Sequence, residues 1–130
     1  MSGRITDHQV QSVRTAAILT GSYVAGTIID TKFEYSQLML YIAFTKGSLT
    51  SAEIKIEFSN DNTTFYQETY ESISGGTNTI VSGNYTMTTG APTYYRLAVP
   101  IKDRFIKVSA QGTGTATSSS MAIEAILGHT

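Results

Sequence analysis

Residues 53–58 read EIKIEF, and this strict alternation of charged and apolar side chains limits the possible folds more than any other feature of the chain. A period of two puts Ile54, Ile56 and Phe58 on one face of a strand and Glu53, Lys55 and Glu57 on the other. The pattern implies a sheet with one buried and one wet face. It returns in RFIKVSAQ (104–111), where Ile106, Val108 and Ala110 alternate with Phe105, Lys107 and Ser109. Segment QLMLYIAFT (37–45) differs. Leu38, Leu40, Ile42 and Phe44 share one face, yet Met39, Tyr41 and Ala43 leave the other face apolar as well. An outward apolar face needs cover, either from a loop of the same chain or from another subunit.

Short segments of this kind recur between turn residues. SVRTAAILT (12–20) and SYVAGTIID (22–30) meet at Gly21, and 37–45 stops at KGS, where Gly47 suits a positive φ. AEIKIEFS (52–59) and TFYQETYES (64–72) follow, with SNDN as the bend that makes them a hairpin. The glycine-rich stretch 74–92 has room for one or two short strands near Thr79–Val81 and Tyr85–Thr88. YYRLAVP (94–100), RFIKVSAQ and SSMAIEAILG (119–128) complete the set, and in isolation MAIEAIL alone also reads as helix. Serine and threonine make up 34 of 130 residues and charged residues 15%, a balance that favours half-buried pleated surfaces over a helical bundle. Seven or eight strands at this spacing predict an all-β, single-domain antiparallel β-sandwich over 12–130, preceded by a polar N-terminal arm at 1–11.

The charge pattern narrows the partners. A net charge of −1, a pI near 6.1 and nine basic residues spread singly give no groove for nucleic acid. The chain has no cysteine, so disulfides and thiolate metal sites are ruled out. No apolar stretch approaches the roughly 20 residues of a membrane span, and MSGRITDHQV lacks the basic-then-apolar run of a secretory signal. These features lead us to expect a soluble chain made in a cytoplasm.

Signals for chemistry are weak. Asn60, Asp61 and Asn62 offer oxygens, but a calcium loop gathers several carboxylates and this one has a single aspartate. Asn and Asp also bond their own backbone, which favours a turn. His8 and His129 lie near opposite ends of the sequence, and no G-x-S-x-G elbow is present. Gly112-Thr113-Gly114 lacks the third glycine and the helix of a phosphate loop. Two glycosylation sequons, at Asn62 and Asn84, are what chance provides in a threonine-rich chain. The expectation is a protein without catalytic residues, cofactor or metal.

The runs LYIAFTKGSLTSAEIKIEFSNDNTTFYQE (40–68) and YYRLAVPIKDRFIKVSAQGTGTATSSSMAIEAILG (94–128) resemble small structural proteins of tailed-bacteriophage virions. Those proteins pair a strand ending near T-K-G with one ending in S-N-D-G or S-D-D-G, then an aromatic. They close with a proline-bounded strand, an I-K-V-type strand and a last apolar strand. This chain departs at Asn62, where glycine is usual, and at Phe65, where tryptophan is common. The resemblance implies a jelly-roll-like sandwich in the virion, made in the host bacterial cytoplasm, that decorates or cements the head by binding the major capsid protein. A neck or tail component is the alternative within that class, and a homo-oligomer, a trimer among the options, fits it.

An arm that orders on assembly and an apolar outer face are suitable contacts for such a role. Candidate contact residues are Arg4, Ile5, His8, Val10 and Arg14 from the start of the chain, with Met39 and Tyr41 from the sheet. A carbohydrate-binding or adhesion β-sandwich module, with Tyr66, Tyr70, Tyr94 and Tyr95 as the sugar platform, is a second reading, and a hydrolase a distant third.

Overall fold

The computed structural model describes residues 9–129. Strand accounts for 62% of them and no helix is present among them. The chain is a single long antiparallel ribbon rolled onto itself. Its first strand, β1 (Gln9–Ala17), pairs with its last, β12 (Ser120–Gly128). One step inward, the short β2 (Val24–Ala25) and β3 (Ile29–Asp30) pair with β11 (Phe105–Gly114). Next, β4 (Gln37–Thr45) pairs with β10 (Tyr94–Val99), and β5 (Leu49–Ser59) with β6 (Tyr66–Gln67) and β9 (Tyr85–Met87).

Rolling the ribbon adds two further pairings, β12 with β4 and β11 with β5. The results are a sheet of order β1-β12-β4-β10 and a six-stranded sheet with β2 and β3 on one side of β11 and β6 and β9 on one side of β5. Nested pairs split between two sheets in this way are the jelly-roll arrangement. The tip of the ribbon, β7 (Thr69–Ser74) and β8 (Thr77–Ser82), belongs to neither sheet and forms a hairpin of its own.

The core lies between the inner faces. Leu38, Leu40, Ile42 and Phe44 face Ile54, Ile56, Phe58, Ile106, Val108 and Ala110, all buried as the alternation requires. Segment 119–128 is strand rather than helix because it is bonded on both sides, to β1 and to β4. Burial of Met121, Ile123, Ala125 and Leu127 then follows the period of two.

Three expectations change. Segment 22–30 is two two-residue strands, because between them Gly26 N–H donates to Val108 O (2.9 Å) and Thr27 N–H to Val13 O (2.8 Å) on the opposite sheet. Segment 64–72 does not stay on β5. Only Tyr66 and Gln67 pair there, β9 takes the same edge further along, and the chain between them is pushed out as β7–β8. Gln9, Val10 and Gln11, read as part of the arm, are strand residues opposite Leu127, Ile126 and Ala125.

The SNDN bend is a turn. Asp61 Oδ1 accepts hydrogen bonds from Ser59 Oγ (2.8 Å) and from the N–H groups of Thr63 and Thr64 (both 2.9 Å), while Asn62 takes φ 59°. These donors hold the Asp61 carboxyl below the ordinary carboxylate range. Gly112 is a packing residue: an added Cβ there would lie 2.8 Å from the Leu49 side chain and 3.1 Å from that of Leu19.

Candidate interaction face

The two outer faces of the sandwich differ in how their side chains are satisfied. On the six-stranded sheet the outward groups of β5 and β11 bond one another and the loops above them. Glu53 is the hub. Its Oε1 accepts from Gln111 Nε2 (2.8 Å) and from the Tyr23 hydroxyl (3.0 Å), and its Oε2 from Thr86 Oγ1 (3.4 Å). Asn84 Nδ2 donates to the Tyr23 oxygen (3.0 Å), and Gln67 Nε2 donates to Asn84 Oδ1 (2.8 Å). Lys55 stands 4.5 Å from the Tyr23 ring centroid, and Lys107 at the same distance from that of Phe65. Burial, followed by the bond to Glu53, raises the Tyr23 hydroxyl pKa to about 12. This face, expected to be open to water, is a half-buried polar layer, and Ser109 beneath it is almost inaccessible.

The outer face of the four-stranded sheet has no such layer. Strand register sorts it into rows. The first row runs Val10–Ile126–Met39–Ala98 across β1, β12, β4 and β10, and every member is apolar. The next is Ser12–Glu124–Tyr41–Arg96, where Arg96 Nε donates to the Tyr41 hydroxyl oxygen (3.3 Å) and its guanidinium lies 5.9 Å from the ring centroid. The third row, Ala122–Ala43–Tyr94, is low in the middle. Its two alanines floor a groove of about 370 Å³, bounded by Tyr41 and Tyr94 on one side and by Ser12, Arg14 and Thr15 of β1 on the other. Val10 is 52% exposed, Tyr41 38% and Tyr94 79%, Ala98 is exposed, and Met39 and Ile126 in the middle of the first row are half-buried.

Of the candidate contacts, Val10, Met39 and Tyr41 come together on this face, and Arg4, Ile5 and His8 lie outside the described residues. Arg14 is at the groove rim but its guanidinium is engaged within the chain. Register shifts after Ser12 and after Arg14 break the β1 ladder and leave carbonyls without ladder partners. Arg14 Nε donates to Met121 O (3.0 Å), and Nη2 to Ala17 O (3.2 Å) and Ile18 O (3.1 Å). Those bonds hold the Nε and Nη2 groups within the chain, and desolvation lowers the Arg14 pKa.

Ile126, Ala98, Arg96 and Glu124 were not among the residues the sequence singled out, and Tyr94 was singled out only as a sugar-platform residue. Their signal was the same period of two that exposed Met39 and Tyr41, applied to YYRLAV and MAIEAIL. The four tyrosines proposed as a sugar platform are dispersed. Tyr66, Tyr70 and Tyr94 belong to three different sheets, and Tyr95 points inward, its ring 6.4 Å from Phe44.

No protein-family model and no curated protein matches this chain. Among solved structures, the crystal structure of SPBc2 prophage-derived protein YomS is similar over 93% of this chain and 92% of that chain, at 16% identity and a TM-score of 0.46. A likeness of that degree carries no functional weight; what the face can do follows from its own side chains.

Proposed function

We propose that this chain is a non-enzymatic structural protein of a bacteriophage virion that decorates or cements the head by seating the outer face of its four-stranded sheet on the major capsid protein. The observation that carries the reading is the four-strand apolar row Val10–Ile126–Met39–Ala98, exposed at its ends and half-buried in its middle, beside the alanine-floored groove. A contiguous apolar patch rimmed by polar groups is the usual form of a protein interface. Arg96 and Glu124 on the adjacent row supply the rim, with one charge of each sign to fix register against a partner. The resemblance of residues 40–68 and 94–128 to tailed-phage virion proteins supplies the biological setting.

Mixing the purified chain with particles that lack it, then sedimenting the particles, tests the proposal. Wild-type protein should co-sediment at saturable stoichiometry, and Met39→Glu should not. Binding to a glycan array with no binding to particles would replace this reading with the carbohydrate-binding one, for which Tyr94 beside the groove is the remaining platform.

A further inference from the structure

We propose that the β7–β8 hairpin joins two copies of this chain, β8 pairing antiparallel with β8 of the second copy across a two-fold axis at Ile80. The hairpin is firmly rooted. Glu68 N–H donates to Ile56 O (3.0 Å), Gly83 N–H to Glu68 O (2.9 Å), and the Glu68 carboxylate takes Lys102 Nζ at 2.7 Å. Beyond that root it projects with its apolar side chains in water: Tyr70 is 59% exposed, Ile73 67% and Ile80 80%. A two-stranded ribbon with nothing packed on it is marginal in water and gains from a further strand.

Its edges are open where the others are blunted. β1 is broken by two register shifts, β10 is flanked by Pro92 and Pro100 and bears Arg96, and β2 and β6 are two residues long. β8, TNTIVS, is six residues in unbroken register with no charge and no proline. Such an edge is a template for another strand. β7 carries Glu71, which a symmetric pairing through β7 would bring towards its own copy, so β8 is the favoured edge.

Phase and register follow from the turn. Gly75 and Gly76 take φ 58° and 80°, the two-residue turn in which both central residues are left-handed. The Gly83-to-Glu68 bond fixes which pairs are hydrogen-bonded, and alternation from there makes Tyr70–Val81, Ser72–Thr79 and Ser74–Thr77 the bonded pairs. The N–H and C=O groups of Asn78, Ile80 and Ser82 therefore point to the free edge. A two-fold at Ile80 satisfies all three sets, with Asn78 opposite Ser82 of the second copy and the two Ile80 side chains in contact on one face. The chemistry is self-complementary and closes at two copies.

Sedimentation of the full chain at concentrations up to the millimolar range tests the assignment. The wild type should be dimeric, and Ile80→Lys should shift it to monomer with circular dichroism unchanged and with a melting temperature equal to that of the wild type diluted to monomer, since the side chain is exposed. The chain has no cysteine, so Ile80→Cys gives an unambiguous second readout: mild oxidation should yield a disulfide-linked dimer. A wild type that stays monomeric, a dimer that survives Ile80→Lys, or an oxidised Ile80→Cys that remains monomeric would each overturn the proposal. Binding of Ile80→Lys to particles reports separately on the sheet face.

Discussion

Glu53 shows how far a single residue can depart from its sequence context. In EIKIEF it reads as one of three solubilising charges, yet its carboxylate accepts three hydrogen bonds and holds Tyr23 and Thr86 onto β5. The sign of the Tyr23 effect is fixed by its raised pKa. The folded state holds that proton more tightly than the unfolded chain, so the contribution is complete below about 10 and is lost as pH rises towards about 12. Alkaline melts should show stability falling across that window, and Tyr23→Phe should fall less steeply over the same window. Asp61 has the opposite sign. Its carboxyl is depressed by the N–H groups of Thr64 and Thr63 and by the Ser59 hydroxyl, so its contribution is present above the usual carboxylate pKa and is lost as pH falls through the folded one. Asp61→Asn should therefore melt below the wild type at neutral pH, and the two melting curves should converge in acid.

At the scale of elements, the amphipathic strands were legible because each needs only its own alternation. β4 spans residues 37–45 as read, and the inward residues of β5 and β11 are those the pattern named. What the pattern could not supply was pairing. Whether 64–72 stays on β5 depends on β9 arriving at the same edge from twenty residues further on, and no local period records that. The strand character of Gln9–Gln11 is hidden for the same reason, since their partners lie at the far end of the sequence. Gln9 and Gln11 also bond outside the ladder: the Tyr35 hydroxyl donates to Gln9 Oε1 (3.3 Å), and Gln11 Nε2 donates to Ile28 O (3.0 Å). Comparing chains deleted at 2–8 and at 2–11 isolates these three residues. The longer deletion should melt several degrees lower, at about 4 °C per kcal/mol for a domain of this size, whereas equal melting temperatures would mean that the end of β1 adds nothing.

For the whole molecule, rolling one ribbon into two sheets gives two outer faces of different chemistry. One is tied down by a polar layer centred on Glu53, and the other presents the apolar row Val10–Ile126–Met39–Ala98, exposed at its two ends and half-buried at its middle pair. Arg14 is taken up by the carbonyls of Met121 on β12, Ala17 at the end of β1 and Ile18 just beyond it, so the side chains the open face offers a partner are its apolar row, Tyr41 and Tyr94, and Arg96 and Glu124. A lysine at position 41 would lie between Glu124 on β12 and Arg96 on β10, one opposite and one like charge, and would place a charge on the open face. The decisive measurement is occupancy on particles lacking the protein, for Tyr41→Lys on the open face and Thr113→Lys on the opposite face, with both variants first matched to the wild type in melting temperature. Thr113→Lys should keep wild-type occupancy, and Tyr41→Lys should lose about tenfold or more in affinity, corresponding to ~1.4 kcal/mol of lost binding. Full occupancy by Tyr41→Lys, or an equal loss for both variants, would contradict the proposed seating of the open face.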